Sequence, residues 1–260
     1  MRMSKLMEEI EQLCPKSFAL DWDNVGLLCG RSDKEVQRVL LAVDATDRVI
    51  EEAVQRNADA LITHHPMIFH GVKQVNDTDY IGRRILELAR RDIAYYACHT
   101  NFDIMGMADA AADELKLENR EVLEVTYEDD ISHEGLGRIG TLPGYMPLRD
   151  FAAQVRDTFH VARVRCYGDP DQPVVTAAIL PGSGKDDIDR ALAAGADVMV
   201  TGDITHHVGL DAVEKGIAVI DAGHFGVEKL FLPYMKDFLN REVPEIAVME
   251  SEQGEPYTEI

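Results

Sequence analysis

The first half of the chain alternates short apolar runs with amphipathic stretches. The β-branched run over residues 39–44 is followed by helical spacing over 47–56 and by a second apolar run over 58–63. This pattern predicts a strand, a helix and a strand that ends at His64 and His65. The alternation continues as a helix, a strand and a second amphipathic stretch, over residues 81–91, 93–98 and 108–117. We therefore expect a parallel sheet with crossover helices.

The same order recurs in the second half. Strand, helix, strand, helix and strand patterns follow one another over residues 174–180, 186–194, 197–201, 208–215 and 217–221. Residues 58–63 resemble residues 196–201, and residues 92–94 resemble residues 215–218. Each match is short, but the two occur in the same order. The sequence therefore predicts the α/β fold class, with two similar α/β lobes in a pseudo-repeat.

The segment between these halves is rich in turn-forming residues. Residues 128–172 contain glycines and prolines that are typical of loops: Gly135, Gly137, Gly140, Pro143, Gly144 and Pro147. We expect the domain junction there. The expected first lobe comprises residues 1–127 and about 225–260, and the expected second lobe comprises residues 128–224.

Composition narrows the class of protein. The 260 residues include 47 Asp and Glu against 26 Lys and Arg, a formal charge of −21, which argues against binding to duplex nucleic acid. The apolar fraction of 46% is that of a globular protein. The beginning of the chain turns acidic before an apolar signal region develops, and no later apolar run is long enough for a membrane span. We expect a cytoplasmic protein that does not enter a membrane.

Histidines concentrate where strands should end or helices begin. Seven of the nine are placed in this way: His64, His65, His70, His99, His206, His207 and His224. Open α/β sheets place their sites at the carboxyl ends of parallel strands. This clustering is the strongest indication of chemistry in the sequence.

His64 and His65 form an adjacent pair before Pro66, which favours an extended backbone at His65. Successive side chains diverge on an extended chain, so the two imidazoles are suited to binding two neighbouring ions rather than one. This geometry favours a dinuclear site. A pair of surface imidazoles at a strand end explains the pattern equally well.

His224 and Glu228 are spaced by four residues, on the first turn of a helix that we expect to run to Phe238. Side chains at i and i+4 share one helix face, so they can converge on one ion, or the carboxylate can bridge two ions. A simple surface contact between the two remains the alternative.

Two loops at strand ends carry further polar residues. Asp103 is a candidate ligand and His99 a candidate ligand or orienting partner, although an Asx-type turn also accounts for this segment. Asp203, His206 and His207 follow the strand at 197–201 and are candidates for acid, base or substrate-contacting roles.

Several motifs in one order resemble a known family. They are T-H-H-P at 63–66, H-T-N-F-D at 99–103, T-G-D-I-T-H-H at 201–207 and A-G-H-F-G-V-E at 222–228, together with D-W-D-N-V-G-L at 21–27 and G-L-G-R-I-G-T-L-P at 135–143. In these motifs the chain resembles the Nif-three-like dinuclear-metal hexamers, the GTP cyclohydrolase 1 type 2 homologues. The resemblance extends over nearly the whole chain.

The resemblance implies two similar lobes, a homohexamer built as a trimer of dimers, and two divalent ions per chain. Its motifs place the metal ligands at His64, His65, Asp103, His224 and Glu228, with Glu228 bridging. Mixed imidazole and carboxylate ligands favour zinc or iron, and manganese, cobalt and nickel are compatible with them.

A dinuclear site of this kind predicts metal-dependent hydrolysis of a small anionic or nucleotide substrate. The catalytic candidates, for proton transfer or substrate contact, are His99, Asp203, His206 and His207. The alternative is a non-enzymatic metal-binding or metal-delivery protein, or a ring-shaped interaction scaffold, because ligands establish binding and not turnover. The sequence leaves open whether the protein is an enzyme.

Overall fold

The structure, a computed structural model, describes residues 1–258. Its strands are β1 Gly26–Cys29, β2 Arg38–Ala42, β3 Ala60–Thr63, β4 Ala94–Ala97, β5 Glu118–Glu128, β6 His133–Pro147, β7 Arg165–Tyr167, β8 Pro173–Ile179, β9 Val198–Thr201, β10 Ala218–Asp221 and β11 Ala247–Glu250.

The helices are α1 Met3–Leu13, α2 Asp47–Gln55, α3 Tyr80–Arg90, α4 Thr100–Phe102, α5 Ala108–Glu114, α6 Leu148–Thr158, α7 Ile188–Ala193, α8 His206–Lys215, α9 His224–Glu228 and α10 Phe231–Glu242. A 3₁₀ turn covers Lys16–Phe18, and a π-helical turn covers Asp103–Met107. No helix within residues 1–258 is long and apolar enough to cross a membrane.

The chain forms two compact units, residues 1–102 with 231–256, and residues 103–230. We call them the first and second lobes. We expected the divisions between the lobes at 127/128 and about 224/225, whereas the two compact units divide the chain at 102/103 and 230/231. The difference has a physical cause: Ala111 and Leu115 of the segment after residue 102 pack with Phe151 in a core of the second lobe.

The first lobe contains a five-stranded sheet in the order β1-β4-β3-β2-β11. The strands β4, β3, β2 and β11 are parallel, and β1 adds an antiparallel edge. Thr46 caps helix α2, because its hydroxyl accepts from the Val49 amide. The helix buries Val49 and Ile50 against Leu61 of the sheet.

The second lobe contains a six-stranded sheet in the order β5-β6-β8-β9-β10-β7. Its parallel centre is β8-β9-β10, with antiparallel pairs on both sides. Along β9, Val198 and Val200 join the core beneath α6, whereas Met199 joins the core beneath α7 and α8. The period of two places these residues on opposite faces, so both faces are covered.

Both lobes contain the order strand, helix, strand, helix, strand, with the three strands adjacent and parallel: β2-α2-β3-α3-β4 and β8-α7-β9-α8-β10. The predicted α/β fold with two similar lobes is confirmed. The parallel arrangement follows from the crossover helices, which return the chain to the same end of the sheet.

The segment expected to be loop-rich is instead largely regular. β5 and β6 form a long antiparallel hairpin, and α6 follows directly. Gly135 lies so close to the Glu124 carbonyl oxygen that a Cβ atom would overlap it. The glycine therefore permits close approach of two strands rather than marking a loop.

The helix expected to run from His224 to Phe238 is also interrupted. α9 ends at Glu228, and α10 begins at Phe231. Pro233 is the third residue of α10, where its missing N–H leaves no intrahelical bond unmade. One continuous helix would place this proline in the interior, at a cost of about 3 kcal/mol.

Candidate metal-binding clusters

Three histidines converge at the carboxyl ends of adjacent parallel strands in the first lobe. His64 and His65 follow β3, and His99 follows β4. One ring nitrogen of each lies within 4.8 Å of the others, and the ring centroids are 4.8 to 5.5 Å apart. We call this group the histidine cluster. These three histidines therefore share one edge of the sheet.

The Nδ1 atom of each histidine in the cluster points at an oxygen acceptor. His64 Nδ1 lies 2.9 Å from the Cys98 carbonyl oxygen, His65 Nδ1 lies 2.7 Å from Asp44 Oδ1, and His99 Nδ1 lies 2.9 Å from Asp23 Oδ1. A carbonyl or an ionised carboxylate only accepts, so Nδ1 carries the proton. The Nε2 lone pair is then the one that can bind an ion, the arrangement typical of metal-ligating histidine.

The Asp23 carboxylate is held ionised behind the histidine cluster. Burial by itself raises the pKa of this carboxyl, but the hydrogen bond and charge of His99 and two bonds from Thr100 outweigh burial and lower the pKa to about 2. The Asp23 side chain is fully buried, and it accepts from the Thr100 amide at 3.0 Å. A fixed anion therefore orients the His99 ring.

The Asp44 carboxylate connects His65 to the segment after β11. While Oδ1 takes the His65 bond, Oδ2 accepts from Gln253 Nε2 at 2.7 Å. Gln253 Oε1 in turn accepts from the amides of Val43 and Asp44 at 3.2 and 3.0 Å. A cavity of about 540 Å³ opens beside these residues, lined among others by Met67, Tyr80 and Arg84. This volume is in the range of small-molecule sites.

A second cluster lies in the second lobe. His224 Nε2 is 3.0 Å from Glu228 Oε2, and carboxylate oxygens of Glu228 and Asp103 lie within 4.8 Å of one another. His224 Nδ1 lies 2.8 Å from Asp203 Oδ2. We call His224, Glu228 and Asp103 the carboxylate cluster. Both ring nitrogens of His224 therefore face carboxylate oxygens, which only accept. Either a proton or a metal ion at Nε2 would fit between His224 and Glu228.

The backbone around the carboxylate cluster is fixed by a buried aspartate. Asp221 Oδ1 accepts from the Gly223 amide at 3.0 Å, and Oδ2 accepts from the Ile204 amide at 3.2 Å and lies 2.9 Å from Arg165 Nη2. These bonds join the loops that carry His224 and Asp203. Asp203 itself has a left-handed backbone, with φ of 60°, an uncommon conformation that aspartate tolerates better than most residues.

The remaining predicted residues are placed differently. Asp103 is the first residue of the π-helical turn, a distortion that is frequent at functional sites. His206 and His207 begin α8, are exposed, and pack ring against ring at 5.2 Å. Among residues 1–258, neither belongs to a group of side chains that can hold an ion.

The sequence analysis did not assign a role to the anchoring carboxylates Asp23, Asp44 and Asp221. Asp44 and Asp221 each come at the end of an apolar run that predicts a strand, which is a signal that sequence reasoning can use. Asp23 lies in a turn far from its partner His99 in sequence, and local pattern gives no indication of that pairing.

Comparison with known proteins agrees with this description. The family model of Duf34/NIF3 (NGG1p interacting factor 3) matches residues 1–256. A GTP cyclohydrolase 1 type 2 homolog of Clostridium acetobutylicum is 34% identical over 230 residues, which cover 88% of this chain and 85% of that protein.

Two solved structures share the fold over the whole chain. A Bacillus cereus protein related to NIF3 has a TM-score of 0.91 at 25% identity, and it covers 100% of this chain and 99% of its own. A Staphylococcus aureus protein has a TM-score of 0.90 at 31% identity, with the same coverage.

Fold and donor groups together define an α/β protein of two lobes whose buried histidine and carboxylate groups can hold a metal ion. The chain belongs to the DUF34/NIF3 family, and its relatives include the GTP cyclohydrolase 1 type 2 homologs. The family resemblance stated from the sequence is confirmed.

Proposed function

We propose that this protein binds two divalent ions per chain through His64, His65, Asp103, His224 and Glu228, and that it hydrolyses a small anionic or nucleotide substrate. One observation carries the proposal: His64, His65, His99 and His224 each direct Nδ1 at an oxygen acceptor. Such anchoring fixes the tautomer that leaves Nε2 for an ion.

The charge of this donor set supports an anionic substrate. The ligand carboxylates contribute −2 and two divalent ions contribute +4, so the bound centre carries about +2 within a protein of net charge −21. When bound, the ions supply Lewis acidity, which lowers the pKa of water and neutralises charge on a phosphate or carbonyl oxygen. Zinc or iron is the proposed occupant, with manganese, cobalt or nickel as substitutes.

The surrounding residues have separate proposed roles. His99, held by Asp23, accepts or returns a proton at Nε2. Asp203 orients His224 through its hydrogen bond at 2.8 Å. His206 and His207, exposed at the first turn of α8, contact the substrate.

The first test is metal content by elemental mass spectrometry after loading the chelator-treated protein with Mn²⁺. We expect two ions per chain and an electron paramagnetic resonance spectrum broadened by coupling between them. Glu228→Gln should lower the content sharply and abolish the coupling, because this residue is the proposed bridge. Glu214→Gln is the matched control, since Glu214 is exposed on α8. Uncoupled ions, or content unchanged by Glu228→Gln, would contradict the dinuclear proposal.

The second test separates hydrolysis from metal binding alone. Release of phosphate from nucleotide substrates should depend on metal loading and fall at least 100-fold in His65→Ala, a size within the usual range for metal and acid-base effects. Bound metal without turnover over a broad substrate panel would favour a metal-delivery protein or an interaction scaffold.

We also propose that the chain assembles in the cytoplasm as a homohexamer, a trimer of dimers. The proposal rests on the family to which the chain belongs. Light scattering coupled to size-exclusion chromatography tests it, with six times the 29.0 kDa chain mass as the expected result. A monomeric or dimeric mass would contradict it.

A further inference from the structure

The chain exposes its single tryptophan beside the histidine cluster. Trp22 is 57% exposed and Phe69 is 40% exposed, although large aromatic rings are usually covered in a folded protein. The two ring centroids are 5.7 Å apart, and His99 lies 5.9 Å from Trp22 and 6.3 Å from Phe69. We call Trp22, Phe69 and His99 the aromatic platform.

The exposed ring is held in place by its neighbours. Asp23, the next residue, is bonded to His99 and to both the amide and the hydroxyl of Thr100. Asn24 Nδ2 donates to the Ile68 carbonyl oxygen at 2.5 Å, which joins the Trp22 loop to the loop that carries Phe69. The platform is therefore ordered without a covering partner, and little entropy is lost when a ligand stacks on it.

The platform adjoins the residues that the proposed function uses. The His99 ring centroid lies 5.9 Å from that of Trp22 and 5.4 and 5.5 Å from those of His64 and His65. A flat ring on Trp22 would thus be one side chain from the proposed metal ligands. Such a ring does not fit between Trp22 and Phe69, since two stacking gaps of about 3.5 Å exceed their separation. It must lie on the exposed surface of the indole.

We propose that Trp22 is the stacking surface for the planar heterocycle of a nucleotide-like substrate, whose anionic part reaches the metal ligands. This inference rests on the proposed function and names the substrate class of that site. Stacking on an indole tolerates any planar ring, so the platform selects for an aromatic ring rather than for one particular base.

The test uses the full chain and the intrinsic emission of Trp22, which no other tryptophan obscures. The probes are guanosine 5′-monophosphate and ribose 5-phosphate, which share the phosphorylated sugar and differ in the ring. We expect saturable quenching by the first probe only, and binding of the second at least ten-fold weaker by calorimetry.

Variants identify the residue responsible. Trp22→Leu should weaken guanosine monophosphate binding about ten-fold or more, and Trp22→Phe should restore most of it, because a ring face remains. Phe69→Leu keeps the fluorescent reporter and should weaken binding less. Metal content and melting temperature should stay at parental values in all three variants, which distinguishes lost stacking from misfolding.

Three results would overturn the inference: equal affinity for the two probes, unchanged affinity in Trp22→Leu, or a blue-shifted Trp22 emission that acrylamide cannot quench in the free protein. The last would place this face in a contact between chains. The titration is repeated on chelator-treated and Mn²⁺-loaded protein. If guanosine 5′-monophosphate stacks on Trp22 but the protein binds no Mn²⁺, the proposed function alone is refuted. If hydrolysis depends on metal but is unchanged by substitution of Trp22, this inference alone is refuted.

Discussion

Asp44 Oδ1 lies 2.7 Å from His65 Nδ1, and the other oxygen of the same carboxylate accepts from Gln253 at 2.7 Å. One carboxylate therefore links a proposed metal ligand to a segment 209 residues away in the chain. The side chain of Gln253 donates to the Asp44 carboxylate and accepts from the Asp44 backbone amide, so Gln253 fixes Asp44 through two hydrogen bonds.

This relationship predicts the effect of removing the anchor. Asp44→Asn should lower Mn²⁺ affinity by about 10- to 100-fold. If the new amide keeps its oxygen towards Gln253, it presents an NH2 donor to His65 Nδ1, and the His65 proton then moves to Nε2. Gln253→Ala should lower the affinity less, since Asp44 remains but is held less firmly. Free Mn²⁺ measured by paramagnetic resonance during titration gives both affinities, and nitrogen NMR of His65 should show the change of tautomer in Asp44→Asn.

The matched controls for this prediction are Asp33→Asn and Gln55→Ala, which alter exposed residues of the same lobe. Neither should change Mn²⁺ affinity. Equal affinity of Asp44→Asn and the parent would mean that the carboxylate does not position His65.

The buried Asp23 predicts a pH-dependent contribution to stability. Its pKa in the folded protein is about 2, below the ordinary value of 3.8, so the ionised form is favoured by folding. The stabilisation is complete above 3.8 and is lost as the pH falls through about 2. The free energy of unfolding of Asp23→Asn should therefore be about 2 kcal/mol lower than that of the parent at pH 6, and this difference should shrink towards pH 2.

Urea unfolding between pH 6 and pH 2.5 measures this difference for Asp23→Asn. Asp21→Asn, at an exposed neighbouring position, should track the parent at every pH. A gap between Asp23→Asn and the parent that is independent of pH would show that the loss comes from packing rather than ionisation.

Gly182 predicts how tightly the carboxylate cluster is enclosed. Its φ is +76°, and a Cβ atom there would lie 2.6 Å from Glu228 Oε1. Gly182→Ala should displace the Glu228 carboxylate and lower Mn²⁺ affinity at least ten-fold, the scale of changes in supporting contacts. The left-handed backbone adds a loss of about 1 kcal/mol in the free energy of unfolding.

Gly195→Ala is the control for Gly182→Ala, because Gly195 has a φ of +87° but open space around the added atom. It should lose a similar amount of stability and keep its metal affinity. If both variants bind Mn²⁺ alike, contact with Glu228 is not what requires glycine at position 182.

Arg138 predicts a large stability effect away from the clusters. Its side chain is almost fully buried, bonds both carboxylate oxygens of Asp109 at 2.7 and 2.9 Å, and donates to the carbonyls of Gly135 and Gly137. Arg138→Met should cost about 3 kcal/mol of the free energy of unfolding, because buried carbonyls lose their donor.

Chemical denaturation measures the cost of Arg138→Met beside that of Arg156→Met. Arg156 pairs with Asp157 at the surface of the same lobe, so its replacement should cost less than about 1 kcal/mol. Comparable losses in the two variants would show that the Arg138 network contributes no more than a surface ion pair.

The elements that the sequence predicted well are those whose evidence is local. The strands β3 and β9 and the helix α2 follow from the hydrophobic pattern of their own residues. The longer-range features were missed. The glycines of the hairpin β5-β6 are typical of loops in sequence, and only their close approach to a neighbouring strand explains them. Helices α9 and α10 are separate because a proline such as Pro233 is disfavoured in a helix interior.

The sequence by itself determined the two-lobe α/β fold and the placement of histidines at strand ends, since parallel strands joined by crossover helices all end at one edge of their sheet. It also carried the family motifs. Only the tertiary structure decided which oxygen holds each imidazole. His99 and Asp23 are 76 residues apart, and Asp44 and Gln253 are 209 apart. Partners at such separations are brought together by packing of the whole lobe, and no local period of the chain encodes them.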